Sequence, residues 1–473
     1  MLSLASLWSA LAGTPEAAGI RAGRPFTAIV IDSRQVTPGS LFVALRGERA
    51  DGHDFVADAF SRGATAALVS HPVPGCPPPR PVEGPCPELD GEGAICLQVP
   101  DVLWALQEAA AAWRSRHSAC RVIGITGSVG KTSTKEAIAA VLAQRYRVLK
   151  NEGNLNNEIG LPLTLLKLEP VHERAVLEMG MYGPGEIARL AEVARPQVGV
   201  VTNVGPVHLE RVGSMEAIAR AKAELPLGLP PEGTLVANGD DPRARAMIPL
   251  TPAHTVLTFG LGPDCDLRAE TVESHGLGGI DITFRRGGEA RRVHLPWLGR
   301  HNAYVALAAA AVGLSEGLTW NEISAGLSTC EGLGRLRVRP GVAGATILDD
   351  TYNASPASTL ADLDFLAEMP GRRLAVLGDM LELGAYEEEA HREVGQRAAQ
   401  VLDVLATVGP RARWIAEEAA QLNPHLQLES WPERREAARW LRGQLRAGDY
   451  VLVKGSRAMA LEEVVAVLCR EEP

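Results

Sequence analysis

The chain has 473 residues, 46% of them hydrophobic and 22% charged, with 47 basic side chains against 57 acidic ones and a formal net charge of −10. At about 150 residues per domain that length implies three domains, and the composition is that of a globular chain. The acidic balance argues against nucleic acid as the main partner, because phosphate backbones are gripped by clustered Lys and Arg, and no apolar run reaches the roughly 20 residues of a membrane span.

The start, MLSLASLWSALAGTPEAAG, is mildly apolar but has no basic n-region, so the expected location is the cytoplasm. From residue 26 to residue 99, short β-like runs (TAIVI, AALVS, ICLQV) alternate with turn signals and one helical stretch near Asp54 to Arg62. Residues 71 to 93, crowded with Pro and Gly, can hardly be helix or central strand and read as a surface loop. The helix DVLWALQEAAAAWRSRH then leads into the apolar run RVIGI, and apolar strands (RVLK, RAVLEM, VGVVTNV, TLVAN) alternate with helical stretches. That is the pattern of a parallel sheet covered on both faces. Residues 254 to 296 turn β-rich, a helix follows in NAYVALAAAAVGL, and a second αβ series begins near Arg335. The fold expected is α/β in three units, 1–99, 100–329 and 330–473: a small N-terminal domain, a central domain with a parallel sheet plus a smaller β-sheet, and a C-terminal unit built from the second αβ series.

Seven scattered cysteines show no CxxC pair and no zinc spacing, and read as reduced and inert. Lysine is more informative. Of the 47 basic residues only Lys131, Lys135, Lys150, Lys167, Lys222 and Lys454 are lysine. In such a background a lysine inside a glycine-rich motif is a candidate for chemistry that guanidinium cannot perform.

Arg121 to Glu136 reads RVIGITGSVGKTSTKE. A strand followed by GSVGKT and a helix places successive backbone N–H groups and a helix N-terminus around one anion, as holding a triphosphate requires. Gly127, Ser128, Gly130, Lys131, Thr132 and Ser133 are the candidate phosphate-binding residues, with Lys131 reaching the β and γ phosphates and Thr132 giving its hydroxyl oxygen to Mg²⁺. The common pattern GxxxxGK[ST] wants glycine at position 125, where this chain has Ile125. Hydrolysis coupled to motion, phosphoryl transfer and carboxylate activation through an acyl phosphate are all open at this point.

NEGNLNNEIG, 151 to 160, packs Asn151, Asn154, Asn156 and Asn157 closely together and is either a plain loop or a set of amides placed near a γ-phosphate and an acyl oxygen, with Asn154 and Asn157 as the catalytic candidates. RAVLEMG puts Glu178 at the carboxyl end of a buried strand, where ligands gather in open α/β sheets, and a carboxylate there suits Mg²⁺. His208 lies just past VGVVTNV. Lys222 sits on a helix and, taken alone, reads as a surface lysine.

TGSVGKT, GNLNNEIG, LEMG, VHLE, ARAKAEL, LPWLGRHN, GRLRV, ILDDTYNASP, VLGDMLELG and VKGSR fall in one order over nearly the whole chain. This set closely resembles the Mur ligase family, in particular its branch that joins D-alanyl-D-alanine to UDP-N-acetylmuramoyl-tripeptide. In that family the shorter loop GxxGK[TS] is the normal form, which accounts for Ile125. The resemblance implies an ATP-dependent ligase with an N-terminal domain that takes the UDP end of the substrate, a central ATPase domain and a C-terminal Rossmann-like domain that receives the incoming amine. Ser33, Arg34, Arg46, Gly47 and His53, in IDSRQVTPGSLFVALRGERADGHDF, are the implied contacts there. It implies two Mg²⁺ ions held by Thr132, Glu178 and His208, and a Lys222 carried as a carbamate that can ligate or orient the metal. Asn302 matches an adenine contact, and Arg335 and Asp350 match residues that reach the phosphates and ribose when domains close. Tyr352, Asn353 and Lys454 match the region that meets the amine substrate. A monomer is expected. No DNPR-like motif of the diaminopimelate-adding ligase is present, and the IDSR segment speaks against a folate enzyme.

Overall fold

The structure is a computed structural model and describes residues 2–14, 24–47, 49–84, 86, 93–330 and 336–469. It divides into two compact units, one of Met1–Gly124, Tyr146–Gly180 and Gly185–Gln197, the other of Ile125–Arg145, Met181–Pro184 and Val198–Pro473. Both are α/β, built on parallel and mixed sheets.

The first unit opens with β1 (Ile29–Val30), β2 (Leu41–Val43), β3 (Ala66–Val69), β4 (Arg80–Pro81) and β5 (Ile95–Gln98), a parallel sheet in the order β1-β2-β3-β5-β4. β2 and β3 are buried along their whole length, which is why they read as unbroken apolar runs. The Pro-rich stretch is a loop but for β4, a two-residue strand at the sheet edge, where a residue without an N–H costs no ladder bond; residues 85 and 87 to 92 of that stretch lie outside the described residues. β6 (Arg121–Thr126) runs from this unit into the second. Beside it the first unit carries β7 (Val148–Lys150) and β8 (Arg174–Glu178) in the order β6-β8-β7. The helix Val102–Arg116 packs on the helices Gly160–Leu165 and Glu186–Ala194.

In the second unit β9 (Val198–Val201), β10 (Thr234–Asn238) and β11 (Thr255–Gly260) are parallel, and β12 (Leu267–Ser274), β13 (Ile280–Arg286) and β14 (Glu289–Leu295) extend them as an antiparallel meander. The change of pairing shows in the burial. β9 and β10 are buried throughout, whereas β13 alternates buried and half-buried residues, as a sheet with one wet face requires. The helix Asn302–Ser315, apolar all round, is buried against the helix Lys131–Leu142. A third helix, Trp320–Thr329, approaches so closely that a Cβ on Gly326 would lie 2.5 Å from the Cα of Val141.

The same unit ends in β15 (Arg337–Pro340), β16 (Thr346–Asp350), β17 (Arg373–Gly378), β18 (Val404–Val408), β19 (Gln427–Trp431) and β20 (Tyr450–Lys454). Their order is β15-β16-β20-β17-β18-β19, with only β15 antiparallel among these pairs. Apolar clusters fill both of its faces. All seven cysteines are free, and burial pushes the Cys96 and Cys120 thiols up to about 11, which keeps them protonated and inert.

Candidate functional site

In the second unit β6 ends at Thr126, the chain turns through Gly127 to Gly130, and Lys131 opens the helix Lys131–Leu142. Gly127 has φ of 148°, and a Cβ there would lie 1.9 Å from Thr202 Oγ1. Gly130 takes the left-handed conformation, φ 82°, that starts the helix. The turn is tied to the segment after β9. Ser128 N–H donates to the Asn203 carbonyl at 2.9 Å and Val129 N–H to Asn203 Oδ1 at 2.8 Å. Thr202 Oγ1 and Asn203 Nδ2 both donate to the Val129 carbonyl at 2.9 Å, and the Ser128 hydroxyl pairs with the backbone of Gly205. The N–H groups of Ser128 and Val129 are thus engaged within the protein, and Lys131, Thr132 and Ser133 follow them as the first residues of the helix.

Lys131 Nζ donates to the carbonyls of Gly127 and Ser128 at 2.9 and 3.1 Å. Lys222, on the helix Met215–Leu227, donates to the same Gly127 carbonyl at 2.8 Å. It is 2% exposed, so the surface-lysine reading is wrong. Burial first, and the charge of Lys131 second, hold its amine well below the usual lysine range. His208, with φ 56°, precedes the short helix Leu209–Val212, and its Nδ1 lies 2.5 Å from Glu382 Oε2. Burial lowers the His208 pKa, Glu382 opposes that, and Lys131 and Lys222 add to it. Thr132 and His208, the metal ligands expected in this unit, bring a hydroxyl and an imidazole that could serve a divalent cation.

Asp350 and Lys454 end the neighbouring strands β16 and β20, in register, and their side chains are paired. Asp362, from the helix Pro356–Ala367, is a second carboxylate on the same ammonium at 2.9 Å. Desolvation pushes Asp362 up to about 7 against the pull of Lys454, with Asp350 adding to the rise. Burial works against the Lys454 charge, and the two carboxylates outweigh it, so its pKa moves up. Asn302 is buried and donates to the Leu298 carbonyl at 2.7 Å. Tyr352 is 46% exposed, with Arg457 over its ring, while Asn353 Oδ1 accepts from the next N–H. Arg335 lies outside the described residues.

In the first unit Glu178 is buried and its Oε1 accepts from Asn156 Nδ2 at 2.8 Å. Asn151 clamps the backbone of the same residue, accepting from Glu178 N–H and donating to its carbonyl. Asn157 Oδ1 accepts from Gly160 N–H at 2.9 Å and so starts the next helix, and Asn154 is exposed. Glu178, the metal ligand expected in this unit, brings a buried carboxylate that could serve a divalent cation. Ser33 is buried, and Arg34 is exposed and forks onto Asp32. The backbones of Arg46 and Asp51 form an isolated antiparallel β-bridge, and Gly47 N–H donates to the Ala50 carbonyl. His53 is buried with both ring nitrogens engaged, Nδ1 with Asp51 at 2.6 Å and Nε2 accepting from Ser70 N–H at 2.9 Å.

Asn203, Glu382 and Asp362 were not singled out from sequence, and Asn151 and Asn156 were noted only as members of the asparagine cluster. Asn203 and Glu382 stand in the quoted segments TNVG and GDMLELG, where a signal existed; Asp362 had none, since one acid on a helix face is ordinary. Glu273, His275 and Asp281 also gather on the β12–β14 meander, but Arg292 bridges both carboxylates at 2.8 Å, and the group reads as a solvated charge network.

Three family models match: the Mur ligase family catalytic domain over residues 25–114, the Mur ligase middle domain over 125–313, and the Mur ligase glutamate ligase domain over 334–457. UDP-N-acetylmuramoyl-tripeptide–D-alanyl-D-alanine ligase of Synechocystis is 40% identical over 94% of this chain and 92% of its own length. The ligase of that name from Bacillus subtilis is 37% identical over 92% of each. Among solved structures, MurF from Acinetobacter baumannii covers 98% of both chains at 30% identity with a TM-score of 0.85. MurF from Thermotoga maritima in complex with ADP covers 93% of this chain and 96% of its own at 31% identity, TM-score 0.80.

Proposed function

Because the chain belongs to the Mur ligase family, we propose that it joins the amine of D-alanyl-D-alanine to the terminal carboxyl of UDP-N-acetylmuramoyl-tripeptide at the expense of ATP, in the synthesis of peptidoglycan precursors. The observation that carries this reading is similarity to such ligases along almost the whole chain, with the phosphate loop, Lys131 and Lys222 converging on one carbonyl. The three functional regions are 1–99 for the nucleotide sugar, 100–329 for ATP and 330–473 for the amine.

Charge decides the mechanism. The γ-phosphate and the substrate carboxylate are both anions, and their approach in a site of low dielectric requires neutralisation. Lys131 and the N–H groups at the helix start take part of that charge. Mg²⁺ supplies the rest when bound, and Thr132, Glu178 and His208 would hold it; hydroxyl and carboxylate oxygens fit a hard divalent cation, and the imidazole adds one softer nitrogen ligand to that set. The carboxylate oxygen attacks the γ-phosphorus, ADP leaves, and the acyl phosphate forms. The amine nitrogen then attacks the acyl carbon, losing a proton, and inorganic phosphate leaves as the amide closes. Holding the partners in line is worth up to about 7 to 11 kcal/mol of barrier.

Lys222 acts as its carbamate. Its neutral amine forms a bond to the carbon of CO₂ and releases a proton, turning a base into a carboxylate beside the loop; an arginine could not do this. Asn302 contacts adenine, Asp350 and Arg335 serve phosphate and ribose, and Tyr352, Asn353 and Lys454 meet the dipeptide. Ser33, Arg34, Arg46, Gly47 and His53 serve the UDP end, His53 by bracing the segment. Among the described residues no helix is long and apolar enough to cross a membrane, and the enzyme works as a cytoplasmic monomer.

The test is phosphate release and product mass with ATP and both acceptors. Release that needs UDP-N-acetylmuramoyl-tripeptide and D-alanyl-D-alanine together, with a product heavier by the dipeptide less water, supports the reading. Equal release with neither overturns it.

A further inference from the structure

The motif GDMLELG, residues 378 to 384, closes β17 and has no part in the mechanism above. Its Glu382 has φ of 65°, and His208 has φ of 56°. Non-glycine residues hold that conformation only where the surroundings fix it, and such strain concentrates at working sites. The two side chains meet, His208 Nδ1 to Glu382 Oε2 at 2.5 Å, and the backbones meet beside them, Glu210 N–H donating to the Glu382 carbonyl at 3.3 Å. Gly384 makes room for this approach, since a Cβ there would lie 3.2 Å from Glu210 N. Tyr182 packs edge-on against the imidazole, centroids 5.3 Å apart.

An ionised carboxylate accepts and cannot donate. Paired with a neutral imidazole it keeps the proton on Nδ1 and leaves the lone pair on Nε2. Carboxylates commonly orient metal-binding histidines in this way, and losing such a partner costs roughly 10- to 100-fold in affinity or activity. We propose that Glu382 is a positioning residue that holds His208 as its Nδ1–H tautomer and so presents Nε2 to Mg²⁺, making the C-terminal αβ series a contributor to the central phosphate site. The proposal rests on the ligase reading above.

Histidine-selective ¹⁵N labelling, with His208 assigned from a His208→Asn protein, tests it without any substrate. In the wild-type chain His208 shows a protonated Nδ1 and an unprotonated Nε2. In Glu382→Leu that single tautomer is lost, and the Mg²⁺ concentration giving half-maximal ligation rises about tenfold or more. Glu382→Gln, whose amide oxygen still accepts, keeps both properties. A wild-type His208 protonated on Nε2, or a leucine variant unchanged in tautomer and Mg²⁺ requirement, overturns the proposal. Should the leucine variant fail to fold by circular dichroism, the wild-type and glutamine spectra decide alone. A fixed tautomer in a chain that ligates nothing overturns the ligase reading instead.

Discussion

Lys131 and Lys222 donate to one acceptor, the carbonyl oxygen of Gly127, at 2.9 and 2.8 Å. Burial, and then the charge of Lys131, hold the Lys222 amine well below the usual lysine range. Lys222→Arg keeps a cation and removes the nucleophilic amine. Its kcat should fall about 100-fold or more, the scale set by loss of one preorganised electrostatic group, with Tm changed little. Lys222→Ala should be as inactive and partly restored by short carboxylic acids. Full activity in either protein contradicts a carbamate role.

Gly127→Ala places a methyl 1.9 Å from the position of Thr202 Oγ1. The turn must shift off the TNVG segment, carrying the helix start with it. Calorimetry with ADP should show Kd raised about tenfold, or about 1.4 kcal/mol. An unchanged Kd would mean that the turn does not shape the nucleotide site.

Gly326→Ala tests packing alone, because its Cβ would lie 2.5 Å from Val141 Cα. Overpacking of this kind costs about 1 to 3 kcal/mol. Urea unfolding should report that loss while ADP affinity in the folded protein stays within about twofold, roughly 0.4 kcal/mol.

Asp362 gives stability a pH dependence of known sign. Its carboxyl rises from 3.8 to about 7 in the folded chain, burial being the main cause. Between those values the folded state holds a proton that the unfolded state has lost, so this contribution is complete below 3.8 and fades as pH rises to about 7. Relative to Asp362→Asn, the wild-type chain should therefore lose stability between pH 4 and pH 7. Parallel urea curves at pH 5 and pH 8 for both proteins would show that Asp362 does not hold the proton.

Much of this was legible before any coordinates. Unbroken apolar runs became β9 and β10, buried throughout, and the β-rich stretch from residue 254 became one more parallel strand, β11, followed by the antiparallel meander from β12 on. The scarcity of lysine drew attention to Lys222 and Lys454, which are both buried, but burial does not single them out, since Lys135 is buried as well. What failed to show was tertiary pairing. Nothing in ADLDF says that Asp362 shares an ammonium with Asp350, because the partners lie on other elements, far along the chain. The asparagine cluster was noticed, yet the divided labour of Asn151, Asn156 and Asn157 depends on a loop path that spacing does not encode.

The ties from Thr202 and Asn203 to the turn before Lys131 bear on energetics as well as shape. A segment already immobilised forfeits little freedom when a triphosphate settles on it, so the attraction appears as affinity instead of being consumed in ordering the chain. Asn203→Ala should thus weaken nucleotide capture mainly through entropy, a signature that calorimetry separates from the loss of a direct contact.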